Sequence, residues 1–279
     1  MSVQQTIAVL LTCHNRKEQT LACLNSLYTC IVPENYAFEV FLVDDGSTDG
    51  TNIAICNQYP EVNIIQGDGN LYWNRGMKLA WETAVNVKDY DFYFWLNDDT
   101  LLFINSLNVL AEGINAFGNK SIYIGATTSI ANTKITYSGH KSKEMFLKPN
   151  GKWQTCDYFN GNIVLIPRYV FERIGTNDAA FHHALGDHDY GLRAKREKIE
   201  LYLAPQVLGY CETHEKLPKW CNKEIRFRDR IVELYKPLGN NPFEFFVFDN
   251  RHNGLLKAIK HFISIHLRAF SPNMWSNLK

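Results

Sequence analysis

Four short apolar runs, Ile7 to Thr12, Phe38 to Val43, Val62 to Ile65 and Phe92 to Leu96, alternate with stretches of helical period, and this alternation constrains the fold most. After the first run, apolar positions recur at Leu21, Leu24, Leu27 and Tyr28, and the same change of period returns over Thr51 to Tyr59 and Asn74 to Val85. Strands alternating with helices require crossover connections, which predicts an α/β fold with a mainly parallel sheet covered on both faces. In such a sheet the carboxyl ends of the strands open onto one crevice. Two acidic stretches stand at strand ends of this kind, Val43-Asp44-Asp45-Gly46-Ser47-Thr48-Asp49 and Trp95-Leu96-Asn97-Asp98-Asp99, so their carboxylates are expected to converge.

Beyond Asp99 the rhythm loosens. A helix is expected over Ile104 to Phe117, strands over Ile122 to Ala126 and Ile163 to Pro167, and short antiparallel strands and loops over Thr127 to Asp157. Asp187 to Lys198 reads as a helix opening on carboxylates, where its dipole tolerates negative charge. Residues 1–218 are expected to form one α/β unit, with halves 1–100 and 101–218, and residues 219–279 a helical extension. Within that extension, Leu255 to Phe270 is amphipathic: Leu255, Leu256, Ile259, Phe262, Ile263, Leu267 and Phe270 share one side, and Lys257, Lys260, His261, Ser264 and Arg268 the other. Such a stripe packs on the core or on a second subunit, as terminal helices ordinarily do, or lies on an anionic membrane.

Lys plus Arg equals Asp plus Glu at 29 each, so no global field recruits polyanions, and nucleic acid is not an expected partner. Seven cysteines, scattered and without a Cys-x-x-Cys pair, read as reduced thiols of a cytoplasmic protein. No secretion signal is apparent at Met1 to Gln5, and no run approaches the ~18 apolar residues of a membrane span. A soluble protein is expected, at most peripheral at the inner face of a membrane.

Asp98 and Asp99 follow an apolar strand, where burial raises a carboxylate's pKa unless a cation compensates. Paired hard oxygens suit Mg²⁺ or Mn²⁺ bound together with a phosphate, although an Asp-Asp at a strand end also serves as a plain turn or helix cap. In the 44–51 loop Asp45 is the candidate for gripping a base or ribose, while Ser47, Thr48 and Asp49 read as caps of the next helix. Among the aromatic residues near these loops, Trp73 and Trp153 are the candidates for stacking on a base or sugar ring.

Taken together, these segments resemble glycosyltransferase family 2, the inverting nucleotide-sugar transferases of GT-A fold, from about Ile7 to His214, and in particular bacterial polysaccharide or rhamnosyl-type transferases. The resemblance is carried by four segments in order: Val9-Leu10-Leu11-Thr12-Cys13-His14-Asn15-Arg16, the Val43 to Thr51 loop, Asn74-Arg75-Gly76, and Asn97-Asp98-Asp99. It implies a nucleotide-binding half and an acceptor-binding half. Thr12, Asn15 and Arg16 would line the nucleotide, Asp45 the pyrimidine, Arg75 the base or phosphates, Asp98 the ribose and Asp99 the metal. Asn97 departs from the family pattern, standing where many members carry an acid. Gly186-Asp187-His188-Asp189 is similar to the family's acidic catalytic motif, which makes Asp187 the general base; Asp189 is structural because it can pair with Arg193 four residues on. The resemblance further places Asn160, Gly161 and Asn162 at the donor sugar and acceptor, and His214 on the metal.

The implied reaction moves a sugar from a UDP- or dTDP-linked donor to a glycan or lipid-linked acceptor hydroxyl, with inversion and a divalent ion (Mn²⁺ or Mg²⁺), in surface polysaccharide synthesis. The alternatives are a nucleotidylyltransferase, for which Thr12-Cys13-His14-Asn15 is a poor phosphate loop, and a nucleotide- or carbohydrate-binding module without turnover. Where the last helix does not pack on the core, peripheral membrane contact or a homodimer through Leu255 to Phe270 is the use open to it.

Overall fold

A computed structural model describes residues 4–131, 134–141, 146–213 and 218–272. In chain order the first half runs β1 (Gln5–Cys13), α1 (Lys17–Tyr28), β2 (Tyr36–Asp44), α2 (Thr51–Gln58), β3 (Asn63–Gln66), α3 (Tyr72–Val87) and β4 (Phe92–Leu96). The second half adds β5 (Leu101–Leu102), α4 (Ser106–Phe117), β6 (Ile122–Thr128), β7 (Ile135–Tyr137), β8 (Gly139–His140), β9 (Gln154–Thr155), β10 (Tyr158–Phe159), β11 (Ile163–Pro167), α5 (Arg168–Ile174), α6 (Gly186–Arg196) and β12 (Leu201–Tyr210). A 3₁₀ turn at Lys219–Cys221 then leads to α7 (Phe227–Tyr235), α8 (Pro242–Asn253) and α9 (Leu255–Phe270).

The main sheet has the order β3-β2-β1-β4-β11-β6-β12-β5. β1, β2, β3 and β4 pair in parallel, whereas β11 runs antiparallel to both β4 and β6, so the α/β class expected from the sequence is the class found. The chain builds outward from β1 to β3 and then returns to β1's other side at β4. That reversal splits the loops after β1 and β4 apart and opens a crevice between them, the usual ligand position of such sheets.

Strand alternation explains the two-sided burial. Ile7, Val9 and Leu11 of β1 enter one apolar cluster with Leu24, Leu27 and Leu110, while Ala8 and Leu10 enter the other with Met77, Trp81, Trp95 and Tyr190. α3 lies against β1 closely enough that a Cβ on Gly76 would stand 2.2 Å from Thr12 Oγ1. The Asn74-Arg75-Gly76 segment therefore has a packing reason for its glycine.

The longest strand, β12, escaped the sequence reading. β12 pairs in parallel with β6, but Pro205 and Gln206 interrupt its apolar pattern, and the pairing register slips between Leu203 and Val207. Proline is tolerated in a strand at such an irregularity, where no ladder N–H is required.

The contacts divide the chain into two compact units, Met1–Asp178 with Asp187–Thr213, and Ala179–Gly186 with His214–Lys279. In the second unit Trp220, Leu234, Ile265 and Ala269 form a small core. α9 does not bury the stripe that its sequence suggests. Ala258, Ile265 and Ala269 face inward, and Phe262 meets Phe243 and Phe246 of α8. Leu255, Leu256, Ile259, Ile263, Leu267 and Phe270 are exposed.

Candidate functional site

Two loops behind β1 and β2 are tied to each other before any ligand is considered. Asn15, with φ 50°, accepts from the Thr48 amide at 2.7 Å and donates its own backbone N–H to the Ser47 hydroxyl at 2.9 Å. Asp49 accepts from the Lys17 and Thr51 amides, each at 3.0 Å. His14 donates from Nδ1 to the Asp45 carbonyl at 2.6 Å. Asn15, expected at the nucleotide, thus spends its side-chain oxygen on Thr48.

Asp45 is used still more fully. It is 3% exposed, and its carboxylate accepts the amides of Gly69 (2.8 Å), Leu71 (3.0 Å) and Tyr72 (2.9 Å). Those bonds hold Tyr72 at φ 57°, an uncommon backbone state for a bulky residue, and so fix where α3 begins. The two loops touch closely enough that a Cβ on Gly46 would lie 3.0 Å from Gly69 Cα.

Across the crevice, Arg16 reaches from the end of β1 to the loop after β4. Its Nη1 donates to Asp98 Oδ1 at 2.9 Å and its Nη2 to Asp99 Oδ2 at 2.8 Å. The fork brings three of the expected residues together. Asp98 is nevertheless under-served: Oδ2 is buried with no hydrogen-bond partner among the described residues. Burial is the main cause that pushes the Asp98 carboxyl up to about 7; Arg16 pulls it down and the like charge of Asp99 pushes it up again.

The third part of the site joins this loop to α6. Trp73 donates its indole N–H to Asn97 Oδ1 at 2.7 Å. Its ring lies over Gly161, where a Cβ would come within 2.6 Å of it. The Gly161 amide donates to Asp187 Oδ2 at 3.0 Å, and the His188 amide to Asp187 Oδ1 at 2.8 Å. A chain of contacts therefore runs from Asp187 through Gly161, Trp73 and Asn97 to the Asp98–Asp99 pair. In that chain the Asn97 side-chain oxygen serves the indole. Asp189 is fully buried and accepts from Arg193 Nε at 2.9 Å.

Asn160 and Asn162 were expected at the sugar, and their amides are engaged within the protein. Asn160 Oδ1 accepts from His140 Nε2 at 2.8 Å, and its Nδ2 lies 3.4 Å from His188 Nε2. Burial lowers the His140 pKa, keeping that imidazole neutral at neutral pH. Asn162 Nδ2 lies 3.4 Å from both Thr100 Oγ1 and Cys211 Sγ. Arg75 stands half-buried on the first turn of α3. Trp153 is elsewhere: it packs against Phe117 and Tyr123 beneath α4. His214 lies outside the described residues.

Three contributors were not singled out by the sequence. Cys211, whose thiol is pushed up by burial and by Asp99, donates to Asp99 Oδ1 at 3.4 Å. His140 and His188 flank Tyr158, the first stacked on it at 4.7 Å and the second edge-on at 4.8 Å. Only His188 carried a signal, its place between Asp187 and Asp189.

The donor set fits a divalent cation that shares its shell with a ligand. The unmet oxygen of Asp98 and the carboxylate of Asp99 are hard oxygens on adjacent residues, yet among the described residues no group of three or more His, Cys, Asp or Glu could hold an ion alone. A diphosphate would have to complete the coordination, as Mg²⁺ and Mn²⁺ sites commonly arrange.

No curated protein sequence matches the chain. Solved structures do match in fold. GalNAc-T7 with UDP, GalNAc and Mn²⁺ superposes with a TM-score of 0.61 at 12% identity, covering 95% of this chain and 55% of that one. S. aureus TarS 1-349 in complex with UDP gives 0.57 at 13% identity, covering 96% of this chain and 81% of that one. The mannosyltransferase PcManGT from Pyrobaculum calidifontis, in complex with GDP-Man and Mn²⁺, gives 0.54 at 17% identity, covering 99% of this chain and 84% of that one. The chain spans 55% of GalNAc-T7 and 43% of the longer TarS structure, so both carry substantial regions without a counterpart here. The family model described as glycosyl transferase family 2 matches residues 8–175, more than half of the chain, and the protein therefore belongs to that family.

Proposed function

We propose that the protein transfers a sugar from a nucleoside-diphosphate donor to a hydroxyl of a glycan or lipid-linked acceptor, with inversion, in the cytoplasm and in the service of surface polysaccharide synthesis. The observation that carries this reading is the chain of contacts linking Asp187 to the Asp98–Asp99 pair at the crevice between β1 and β4. A base and a charged phosphate site within one connected wall is what displacement at an anomeric carbon requires. The matched GalNAc-T7, TarS and PcManGT structures, which hold UDP or GDP-Man, support a nucleotide-sugar donor.

In this reading Asp187 takes the proton of the attacking hydroxyl. Two backbone amides, one on each oxygen, fix the carboxylate's orientation while leaving lone pairs on both oxygens for that proton. In the same reading Arg16 and Arg75 answer the diphosphate, and Arg16 would exchange part of its contact with Asp98 and Asp99 for the incoming anion. Asp45 acts at one remove, holding the 69–72 turn against which the nucleotide would rest. Trp73 and Gly161 form the floor beneath the sugar, with Asn160 and Asn162 bracing it, and Thr12 supports α3 from below. A divalent ion, when bound by Asp98, Asp99 and the donor, supplies positive charge against the leaving diphosphate. His214 remains a proposed further ligand.

Thermal-shift screening of UDP-, dTDP- and GDP-sugars with and without Mn²⁺ tests the donor, because a ligand bound only by the native state raises apparent stability. Donor hydrolysis then separates an enzyme from a binding module. Stabilisation by a donor without any release of nucleoside diphosphate, in the presence of varied acceptors, would sink the catalytic reading.

A further inference from the structure

α9 presents an apolar surface that its own fold does not use. At about 3.6 residues per turn, Leu255, Leu256, Ile259, Ile263, Leu267 and Phe270 fall within roughly a third of the helix circumference. Their exposure runs from 41% at Ile259 to 76% at Leu256, whereas Ala258 and Ala269 on the inward stripe are at 0%. Beside Ile265 the packed side carries alanines, while six large apolar residues lie on the open side, against the usual arrangement of a docked helix. A continuous apolar face of this kind marks an interaction surface.

Charge identifies the occupant. Lys260 stands at the edge of the apolar sector, with Lys257 and Arg268 farther round the helix, and α9 contains no Asp or Glu in a chain whose overall charges balance at 29 each. The nearby carboxylates of α8 point away from this surface: Asp249 is buried on His261 Nδ1 at 2.6 Å, and Glu244 is buried on His182 Nδ1 at 2.7 Å. At ~1.5 Å per residue α9 is about 24 Å long, shorter than a ~30 Å hydrocarbon core, and among the described residues no helix is long and apolar enough to cross a membrane. An apolar sector beside a cationic one, on a helix too short to span, matches a bilayer surface rich in anionic lipid, with the helix axis in the membrane plane. A second copy fits less well, because antiparallel two-fold pairing of α9 would set its cationic edge against the same edge of its partner with no carboxylate on the helix to answer it. We propose that the exposed face of α9 docks the protein on anionic lipid.

The test is vesicle flotation of the full chain, which needs no knowledge of donor or acceptor and so stands apart from the catalytic reading. The wild-type chain should float with vesicles of phosphatidylcholine mixed with phosphatidylglycerol, should not float with phosphatidylcholine alone, and should be released by salt. Ile263→Asp with Leu267→Asp should abolish flotation while leaving the thermal transition unchanged, as both positions are already exposed. Lys257→Gln with Lys260→Gln, which leaves the apolar face and its packing intact, should lower the partition coefficient about tenfold or more. The proposal is overturned if the wild type does not float with the anionic vesicles, if neutral vesicles serve equally well, or if the lysine pair has no effect. It is likewise overturned if the wild type is a dimer in solution that the aspartate pair splits, since the face then belongs to a second copy.

Discussion

The ends of β2 and β4 make an instructive pair. Each is an apolar strand running into adjacent aspartates, and the deeply buried carboxylates that they deliver include Asp45 at 3% exposure and Asp98 at 4%. At β2 the carboxylate accepts three backbone amides and holds a turn in shape. At β4 it meets one arm of Arg16, leaves its other oxygen without a partner among the described residues, and has its pKa pushed up to about 7. Identical side chains in equivalent positions therefore differ in what they still have to offer. In the proposed reading the carboxylate satisfied by the backbone is scaffold, and the one left short of partners is where an incoming cation would find an oxygen already in place.

The largest effect expected of this division falls on Asp187, at the far end of the contact chain from Asp98. Asp187→Asn should lower sugar transfer by about 10²–10⁴-fold with donor affinity and melting behaviour near wild type. Full-speed transfer by that variant in a coupled nucleoside-diphosphate assay would remove the working end from the comparison. Asp45→Ala should do the reverse, costing about 3–5 kcal/mol of stability in urea unfolding because buried amides of Gly69, Leu71 and Tyr72 lose their acceptor. If Asp45→Ala instead melts like the wild type and only loses nucleotide, the two ends are not different in kind.

Asp98 gives a subtler readout with a definite sign. Its native pKa of about 7 lies above the ~3.9 of an unfolded aspartate, so the native state holds the proton more tightly. The stability linked to that proton is fully present below pH ~4 and is lost as pH rises through about 7. Asp98→Asn, which cannot ionise, should be more stable than the wild type at pH 8 by up to a few kcal/mol and indistinguishable from it near pH 4. The smallest effect is on binding: affinity for donor with Mn²⁺ should rise by up to about tenfold per pH unit below 7 and flatten above it, as one proton leaves Asp98. A calorimetric titration with a flat profile from pH 5.5 to 8 would show that Asp98 takes no part in the cation's site.

Much of the architecture was legible because it depends on local patterning. The apolar runs at Ile7, Phe38, Val62 and Phe92 and the helical spacing between them specify buried strands and crossovers whatever the details of packing. The motif segments are local too, and they were enough to suggest a family that the match over residues 8–175 then established. β12 was not legible, because Pro205 and Gln206 break the pattern and only its pairing with β6 makes it a strand. Trp73 and Trp153 were equal candidates by composition. One reached the site and the other packed beneath α4, since an aromatic ring carries no label for which side of a sheet its backbone will present.

By itself, then, the sequence determined the order of elements, the family and the placing of acids at strand ends, because periodicity and glycine-bearing loops act over a few residues. Only the tertiary structure decided which of those acids is spent. Asp45 and Asp98 differ through partners 24 to 82 residues away, Gly69 to Tyr72 for one and Arg16 for the other. It also decided that α9 would bury its alanines and expose its leucines, because the inward face of a helix is chosen by the neighbours it must fit, here α7, α8 and the Lys219–Cys221 turn, and not by its own hydrophobicity.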